Sequence, residues 1–393
     1  MYNRMVVTSG TSLLNNNRSL LESEFSNFFQ VKERLTDESF SLSDKVIQYL
    51  STQLLSLDKS DLDQISAEVS MVAVLQGREQ LVKAPYITLF YTDSFRGRVA
   101  GLVNKKILEQ VYGATVRMRK IYKLDVHNRT VLNRALGKYL SDISEALEEG
   151  EPNTTCFAPI GGYKVMTSLG HLVGNLHHYP TAYLYEGSTV VHEIPPVIVE
   201  INESLIKENH QLLKKFFDGD CFIYEELSPE EQAFIKEQSV MFEQVDELVA
   251  LNPFGRFLCN QNKYYKYFKS KVYMEESLYR EINRRYTSYW KTVYDEIKDL
   301  IFQHESNPAD YRATLYHEPD FSQLDLKGSS YHLFKGGNNP VFRALWLYNE
   351  EDDAYYIAHI WFDHDVYKRE ATATIKRKKH KGNWINITEQ LYS

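Results

Sequence analysis

Over residues 1–200, short apolar bursts alternate with amphipathic stretches, and this alternation constrains the fold more than any other feature of the chain. The apolar bursts have the length and composition of strands and lie at Met5 to Thr8, Tyr86 to Tyr91, Thr115 to Leu124, Cys156 to Ile160, Thr181 to Tyr185 and Ile194 to Ile201. Apolar residues recur at helical spacing over Leu62 to Leu75, Val99 to Val111 and Leu132 to Leu147. Alternating strands and helices predict an α/β domain with a mostly parallel, doubly wound sheet, which binds ligands beyond the carboxyl ends of its strands.

Two loops rich in small residues follow strands of this pattern and together indicate an anion site. Glycine lets the backbone approach a phosphate closely, a helix N-terminus presents N–H groups, and Lys164 adds a positive charge. A Gly-Gly pair after a strand is also an ordinary tight turn, in which Lys164 is a solvated surface residue. Because the two loops belong to one domain, we assign them to one ligand. The candidate contacts are Ser9, Gly10, Thr11, Ser12, Gly161, Gly162, Tyr163 and Lys164.

A third loop, Thr92 to Gly97, follows the strand pattern that ends at Tyr91. The side chains of Asp93 and Ser94 can hydrogen-bond the hydroxyl groups of a sugar. Either residue is equally suited to cap the following helix, because short oxygen-bearing side chains accept hydrogen bonds from the first N–H groups of a helix. Both interpretations are open from the sequence, and Asp93 and Ser94 are included among the candidate ligand contacts.

Beyond residue 200 the pattern changes, which divides the chain into three parts. Residues 201–254 are charged, and the patterns at Glu203 to Phe217 and Pro229 to Leu251 predict a helical connector. Residues 255–393 begin with an amphipathic helix pattern over Glu276 to Phe302. Strand patterns follow at Tyr331 to Phe334, Val341 to Tyr348 and Ala354 to Phe362. Helices followed by an antiparallel meander predict a small α+β domain.

The net charge of −8 argues against a protein that coats nucleic acid over its whole surface. Any nucleic-acid contact must therefore use a local basic patch, and one such patch lies near the C-terminus. It is either a solvated face or a contact with RNA phosphates, and its concentration within an acidic chain favours the contact. The residues of this patch are Lys368, Arg369, Lys376, Arg377, Lys378 and Lys379.

The three cysteines lie far apart in the sequence, without Cys-x-x-Cys pairs, which predicts free thiols in a reducing compartment. No apolar run approaches the length of about 20 residues that a membrane span requires. We therefore expect a soluble, cytoplasmic protein of two or three domains. The sequence also shows no paired carboxylates of the kind that metal-dependent nucleases use, and no metal site is expected.

With its loops placed, the N-terminal region, residues 1–200, resembles a CARF domain, the CRISPR-associated Rossmann fold that senses cyclic oligoadenylates made by type III CRISPR complexes. The resemblance rests on the strand with Thr8 to Leu14, on Asp93-Ser94, and on Ile160 to Lys164 leading into a helix. It implies a Rossmann-like fold, ligand contacts at Ser9 to Ser12 and Gly161 to Lys164, and a homodimer around one cyclic ligand, because the ring matches a twofold axis. Cyclic tetra-adenylate is the activator that the family analogy favours.

Some members of that family also cleave their ligand slowly with a loop hydroxyl and a lysine. In this chain Ser12 and Lys164 occupy the matching positions. Binding without turnover is the simpler alternative, and the sequence does not decide between them.

The C-terminal region, residues 255–393, resembles the RelE-like toxins, which are ribosome-dependent mRNA interferases. The resemblance rests on a pair of helices and on four segments: Leu326 to Gly328, Tyr331 to Lys335, Val341 to Trp346 and Ala358 to Tyr367. It implies that Arg343 stabilises the scissile phosphate and that Tyr367 lies near the attacking ribose hydroxyl or stacks on a base. His332 and Lys335 are further polar or cationic contacts on the preceding strand.

The implied chemistry suits these residue types without a metal. The 2′-hydroxyl of RNA attacks its own phosphate, so the enzyme must move two protons and neutralise a highly charged transition state. Arginine supplies a planar fork for that charge, and the histidines His332 and His364 titrate near neutral pH. Family members carry Lys or Arg at several positions where this chain has His332, Asp363 and His364, so the acid and the base are not assigned.

The sequence thus predicts a cyclic-oligoadenylate sensor joined to an mRNA endoribonuclease that stops translation in antiviral defence. Two alternatives remain: a ligand-activated ribonuclease for free single-stranded RNA, and a non-catalytic regulator that binds RNA or the ribosome. Partners implied by the resemblance are the cyclic ligand, mRNA on the ribosome, and ribosomal protein or rRNA.

Overall fold

The computed structural model describes residues 1–33, 37–121, 124, 128–185, 190–199, 201–219, 221–306, 331–336, 342–377 and 382–393. The chain divides into two compact units, Met1–Cys259 and Asn260–Ser393. Both units combine helices and sheets, which confirms the expectation of a mixed α/β protein. The predicted connector, residues 201–254, belongs to the first unit.

The strands of the described residues form three sheets. They are β1 (Tyr2–Thr8), β2 (Leu81–Thr92), β3 (Thr115–Ile121), β4 (Thr155–Ala158), β5 (Thr181–Leu184), β6 (Val191–Ile194), β7 (Phe222–Ile223), β8 (Phe242–Val245), β9 (Leu248–Leu251), β10 (Lys271–Glu275), β11 (His332–Lys335), β12 (Arg343–Asn349), β13 (Ala354–Trp361) and β14 (Trp384–Asn386).

The helices of the described residues are numbered in chain order. They are α1 (Ser12–Asn16), α2 (Arg18–Glu24), α3 (Asp37–Leu55), α4 (Lys59–Leu62), α5 (Ala67–Gly77), α6 (Phe95–Tyr112), α7 (Arg129–Glu148), α8 (Lys164–Leu176), α9 (Glu203–Glu208), α10 (His210–Asp218), α11 (Pro229–Glu237), α12 (Pro253–Asn260), α13 (Tyr265–Phe268), α14 (Glu276–Arg285), α15 (Trp290–Ser306), α16 (His364–Arg377) and α17 (Thr388–Tyr392). Single turns of 3-10 helix lie at Phe28–Gln30, Tyr224–Glu226, Asn262–Tyr264 and Thr287–Tyr289.

The largest sheet lies in the first unit and has the strand order β3-β2-β1-β4-β5-β6. Strands β1 to β5 pair in parallel, and β6 pairs antiparallel to β5. From the central β1 the chain builds first towards β2 and β3 and later towards β4 and β5. The topological switch point therefore lies between β1 and β4, where sheets of this kind leave a crevice for ligands.

Helices cover both faces of this sheet, as the alternation of side chains along its strands requires. Met5 and Val7 of β1 lie in a buried core with residues of α1, α3, α5 and α6. Phe90 of β2 faces the other way, and its ring centroid lies 6.3 Å from that of Tyr139 on α7. Burial of each large apolar side chain contributes about 1.5–3 kcal/mol to the free energy of unfolding, so the helices on both faces stabilise the sheet.

Two predictions for the first unit are wrong in detail. The strand predicted from Ile194 to Ile201 ends at Ile194, because Pro195 and Pro196 cannot donate backbone hydrogen bonds to a neighbouring strand. The helix predicted over Pro229 to Leu251 ends at Glu237, and β8 and β9 follow as an antiparallel pair. Asp246 in the turn between them has φ 54°, a left-handed conformation that tight hairpin turns require.

The second unit contains a sheet with the order β11-β12-β13-β10-β14. Strands β11, β12 and β13 form the predicted antiparallel meander, and β10 joins it in parallel with β13. The helix predicted over Glu276 to Phe302 is interrupted by a 3-10 turn at Thr287–Tyr289, where the Thr287 hydroxyl donates to the carbonyl of Asn283 at 2.7 Å. This break divides the pattern into α14 and α15.

The two faces of the second sheet carry different cores. One core joins Ala344, Trp346 and Ile357 of the sheet to α14, α15 and α17. The other joins Leu345 and Ala358 to α16. Each side chain that lies near this sheet can therefore be assigned to the α15 face or to the α16 face.

Within the described ranges, no helix is long and apolar enough to cross a bilayer. None of the three cysteines, all of which lie in described ranges, forms a disulfide; Cys156 and Cys259 are buried and Cys221 is exposed.

Candidate functional site

The three predicted loops meet at one edge of the first sheet, because β1 lies between β2 and β4 and all three strands run in parallel. The closest contact joins the loop after β1 to the loop after β4. Thr8 Oγ1 accepts a hydrogen bond from the Gly161 N–H at 3.0 Å and donates one to the Gly161 carbonyl at 2.8 Å. A Cβ atom on Gly161 would lie 2.2 Å from the Gly10 nitrogen, so only glycine fits at position 161. The candidate site is thus built on a backbone-to-backbone contact at the switch point.

A buried polar network supports the loop after β1 from below. The Gly10 N–H donates to Glu68 Oε1 at 2.7 Å, and Glu68 at the start of α5 is only 1 % exposed. On α6, Asn104 Nδ2 donates to Ser9 Oγ at 3.2 Å, and Asn104 Oδ1 accepts from Ser66 Oγ at 2.9 Å. The position of this loop therefore depends on α5 and α6. Sequence reasoning missed Glu68 and Asn104, because each lies on an amphipathic helix far along the chain from Gly10.

Burial raises the pKa of Glu68, and the hydrogen bond from the Gly10 N–H offsets only part of that effect. Burial penalises the charged form of a carboxyl group, because an apolar surrounding solvates a carboxylate poorly. The structure therefore favours a protonated Glu68 more than water does. Glu68 is therefore a buried titratable group in direct contact with the loop after β1.

Two of the candidate contacts, the half-buried Gly10 and the buried Gly161, have N–H groups that are already hydrogen-bonded within the protein. The Gly10 N–H is bound by Glu68, and the Gly161 N–H is bound by Thr8. These glycines allow close packing of the loops, and the surface available to a ligand lies on their neighbours.

The exposed part of the two loops lies at the start of α8 and before α1. Gly162 is exposed and has φ 96°, which only glycine adopts without strain. Tyr163 is 50 % exposed and precedes Lys164, the exposed first residue of α8. Thr11 is exposed and Ser12 is half-buried. A helix N-terminus, a lysine and an exposed aromatic ring thus share this surface.

The structure distinguishes the two interpretations of the third loop. Ser94 caps α6, since its Oγ accepts a hydrogen bond from the Gly97 N–H at 3.1 Å. The carboxylate of Asp93 lies 3.3 Å from Lys120 Nζ on β3. Asp93 and Ser94 lie at the same sheet edge as Gly161, and the side chain of Ser94 serves the helix.

In the second unit, Arg343 and Tyr367 lie together on the α16 face of the sheet. The guanidinium carbon of Arg343 on β12 is 5.6 Å from the ring centroid of Tyr367 on α16. Arg343 Nη1 also donates to the carbonyl of Phe342 at 2.9 Å. Both side chains are 2 % exposed. Arg343 and Tyr367 are therefore neighbours, and both are closed to solvent.

Two further predicted residues lie close to this pair. Lys335 on β11 is directly opposite Arg343, and opposite residues of an antiparallel pair project to the same face. The His364 ring centroid lies 6.2 Å from that of Tyr367, with the rings nearly parallel at 27°. Asp363 has a structural role here, since its carboxylate accepts the N–H groups of Asp365 and Val366 at the start of α16.

His332 lies apart from the Arg343 group, on the α15 face. Its ring centroid is 5.3 Å from that of Trp346, a residue of the core on that face. Sequence reasoning missed its neighbour His304 on α15, whose Nδ1 is 2.8 Å from the Tyr355 hydroxyl. Burial, and then the nearby His332, lower the pKa of His304 to about 4. The structure thus separates His332 from Arg343, Lys335, Tyr367 and His364.

The predicted basic patch is described only in part. Lys368 and Arg369 are exposed on α16, and Arg369 pairs with Glu370 at 3.0 Å. Lys376 and Arg377 belong to the same helix, but their side chains lie outside the part that the structure describes. Lys378 and Lys379 lie outside the described residues, as does the turn Leu326 to Gly328.

Comparison with known families gives one match, over part of the first unit. Residues 63–197 match the family described as CRISPR-associated protein (Cas_APE2256). This part of the chain is similar to CRISPR-associated proteins. The matched segment includes Glu68, Asp93, Ser94 and Gly161 to Lys164, and it covers about a third of the chain without reaching the second unit. No curated protein matches the chain.

Proposed function

We propose that this protein is a CRISPR ancillary effector in which a CARF-type sensor controls a RelE-like endoribonuclease. The observation that carries the proposal is the contact of the loops after β1 and β4 at the switch point. The loop after β4 lies within the segment that matches a CRISPR-associated family, and it leads to Lys164, the first residue of α8. The activator is a cyclic oligoadenylate, with cyclic tetra-adenylate favoured.

The exposed loop residues suit this ligand class. Lys164 and the N-terminus of α8 attract phosphate, and Thr11 and Ser12 can hydrogen-bond ribose or phosphate oxygens. The half-exposed ring of Tyr163 can stack on an adenine base. A cyclic ligand with repeated units presents the same groups to two protomers, so we propose one ring per homodimer.

In the second unit, we propose that Arg343 neutralises the phosphate while the 2′-hydroxyl attacks it. Lys335 adds a second positive charge on the same face, and Tyr367 stacks on a base or orients the ribose. His364, next to Tyr367, is the proton carrier that its position favours, and His332 on the opposite face is not. The protons thus move from the 2′-hydroxyl to a base and from an acid to the leaving 5′-oxygen, without a metal.

The burial of Arg343 and Tyr367 gives the proposal a regulatory step. A phosphate reaches Arg343 only after the residues that bury it move, because Arg343 and Tyr367 are each 2 % exposed. The described arrangement is therefore the resting state of the proposed enzyme. The cyclic ligand must bind the open arrangement more tightly than the resting one, since equal affinity shifts no population.

The same burial favours one alternative, a regulator that binds RNA or ribosomes without cutting. Translating ribosomes and naked RNA, each with and without cyclic tetra-adenylate, distinguish the alternatives. Cleavage on ribosomes with ligand supports the main proposal, and equal cleavage of naked RNA supports a free ribonuclease. Binding without cleavage supports the regulator.

Two variants with a matched control assign the residues. Lys164→Ala should raise the ligand concentration needed for activation, and Arg343→Ala should abolish cleavage while ligand binding persists. Lys236→Ala, at an exposed lysine of α11, is the control and should behave as wild type. Retained cutting by Arg343→Ala would remove Arg343 from the mechanism.

A further inference from the structure

A second group of basic residues opens the second unit, and the proposed function does not use it. Residues 260–271 contain four lysines interleaved with four aromatic residues. The chain has no aspartate or glutamate from Leu248 to Met274. The lysines are Lys263, Lys266, Lys269 and Lys271, and the aromatic residues are Tyr264, Tyr265, Tyr267 and Phe268. Such interleaving is typical of surfaces that bind single-stranded nucleic acid.

The structure anchors this segment by its aromatic residues and leaves lysines at the surface. Tyr264 is 0 % exposed and Phe268 is 2 % exposed, and they fix the 3-10 turn and α13. Lys263, Lys266 and Lys271 are exposed. The positive charges are therefore held on a short, buried scaffold.

One lysine from another part of the unit, Lys298 of α15, lies close to this segment. Tyr265 stacks on Tyr392 of α17, with the ring centroids 6.2 Å apart and the planes at 19°. Lys266 lies 5.7 Å from the ring centroid of Tyr265. Lys269 and Lys298 of α15 lie 5.5 Å and 5.8 Å from the ring centroid of Tyr392. We call Lys263, Lys266, Lys269 and Lys298, with this tyrosine pair, the lysine–tyrosine surface. Lys271 on β10 alternates with Val272 of the core on the α15 face and therefore projects to the opposite face of the sheet.

The acidic residues of the neighbouring helices leave this surface basic. Glu296 and Asp299 of α15 are buried, with exposures of 0 % and 3 %. Asp295 of α15 is half-buried, and Glu389 of α17 is exposed. Four lysines thus lie at or near the surface, within a chain whose net charge is −8. The exposed acidic turn Glu350 to Asp353 adjoins the end of the segment, where the Ser270 hydroxyl donates to Asp353 Oδ1 at 2.6 Å.

The lysine–tyrosine surface lies away from the proposed cleavage residues. Tyr392 and Tyr265 belong to the core on the α15 face of the sheet, whereas Tyr367 belongs to the core on the α16 face. A polyanion bound at the lysine–tyrosine surface would therefore not occupy the Arg343 group.

We infer that the lysine–tyrosine surface binds the phosphate backbone of RNA. Lysine is a compact point charge that pairs with phosphate without reading sequence, so this contact serves to hold RNA and not to select a codon. The choice of RNA as the polyanion rests on the proposed function, but the binding itself needs neither the activator nor cleavage. It provides a second RNA contact besides the exposed lysine and arginine of α16.

The test is the salt dependence of RNA binding by the full chain, measured by fluorescence anisotropy with a labelled single-stranded oligouridylate. Each phosphate contact of single-stranded RNA contributes about 0.7 to the slope of log K against log salt concentration. The variant Lys263→Gln/Lys266→Gln should therefore bind more weakly and lower the slope by about 1.4. Both side chains are exposed, so the thermal unfolding of the variant should match that of wild type.

The matched control is Lys45→Gln/Lys236→Gln, which removes two exposed lysines of the first unit. The control should keep the wild-type affinity and slope. If Lys263→Gln/Lys266→Gln also keeps them, or if both variants lose affinity equally, the inference is wrong. The assay needs no cleavage. If the lysine variant lowers the slope but the wild-type protein never cuts RNA, this inference is supported and the proposed nuclease activity is wrong.

Discussion

The contact between Gly161 and the loop after β1 gives a prediction whose size follows from the structure. In Gly161→Ala the new Cβ would lie 2.2 Å from the Gly10 nitrogen, 2.4 Å from the Thr8 carbonyl oxygen and 2.6 Å from the Ser9 carbonyl carbon. All three atoms belong to the backbone, so no side chain can turn away. The loops must separate by about 1 Å to reach ordinary contact, and such overpacking costs about 1–3 kcal/mol.

The separation also disturbs both hydrogen bonds between Thr8 and Gly161, whose lengths are 3.0 Å and 2.8 Å. Each bond is worth about 0.5–1.5 kcal/mol, so a total near 3 kcal/mol is expected. For a unit of this size that loss lowers Tm by about 6–12 °C. The matched control is Gly77→Ala at the end of α5, where an added Cβ meets nothing within 4 Å. That change should leave Tm unchanged or raise it slightly, because alanine favours a helix over glycine.

Differential scanning calorimetry of both variants and wild type measures this effect. A titration with cyclic tetra-adenylate shows whether the ligand surface is lost with the loop contact. If Gly161→Ala melts at the wild-type temperature, the two loops do not touch as described, and the basis for a shared ligand site is gone.

Three further predictions concern single side chains. Because burial raises the pKa of Glu68 above its ordinary value of 4.5, the folded protein holds that proton more tightly than the unfolded chain, and wild-type stability should fall as pH rises from 4.5 through the raised pKa. Glu68→Gln does not titrate, so urea unfolding at several pH values should show a smaller fall, and identical pH profiles would contradict this account. Thr8→Val keeps the shape of the side chain but removes the hydroxyl that hydrogen-bonds the N–H and the carbonyl of Gly161. The free energy of unfolding in urea should fall by about 1–3 kcal/mol. An unchanged urea midpoint would show that water replaces the hydroxyl. For His304, NMR titration of the ring should give a midpoint near its pKa of about 4, whereas a midpoint near 6.5 would show that the ring is solvated. As pH falls, the unfolded chain protonates this histidine before the folded protein does. The stability of the protein should therefore fall as pH drops from 6.5 to about 4.

The sequence predicted those elements of the fold that have a local pattern. The strands at Tyr86 to Tyr91 and Ala354 to Phe362 carry runs of β-branched and aromatic residues, and the structure contains strands there. The helices at Val99 to Val111 and Leu132 to Leu147 repeat apolar residues every three or four positions, and the structure contains helices there. In each case, the spacing of apolar residues along a short segment indicates which side chains are buried.

Several contacts that the sequence does not predict join distant residues. The pairing of β10 with β13 joins Lys271 to Ala354, and β10 is only five residues long. In the same way, the hydrogen bond from Gly10 to Glu68 joins residues 58 positions apart. A helix pattern also cannot show that Tyr286 turns the chain between α14 and α15, because its ring packs 4.8 Å from that of Phe362.

In the candidate sites, too, local composition identifies the residues, whereas their exposure depends on packing against distant elements. The loops at Ser9 to Ser12 and Gly161 to Lys164 were identified from their composition, but which glycine faces solvent depends on packing. Arg343 and Tyr367 were identified from a resemblance, and their burial was not predictable because it depends on how α16 lies against β12.

The most direct test of the central proposal is isothermal titration calorimetry of the full chain with cyclic tetra-adenylate. We predict saturable binding of one cyclic tetra-adenylate per two chains. Lys164→Ala should bind it more weakly, and Lys236→Ala should bind it as tightly as wild type. Absence of binding by the wild-type chain to cyclic oligoadenylates of every ring size, with the protein folded, would contradict it.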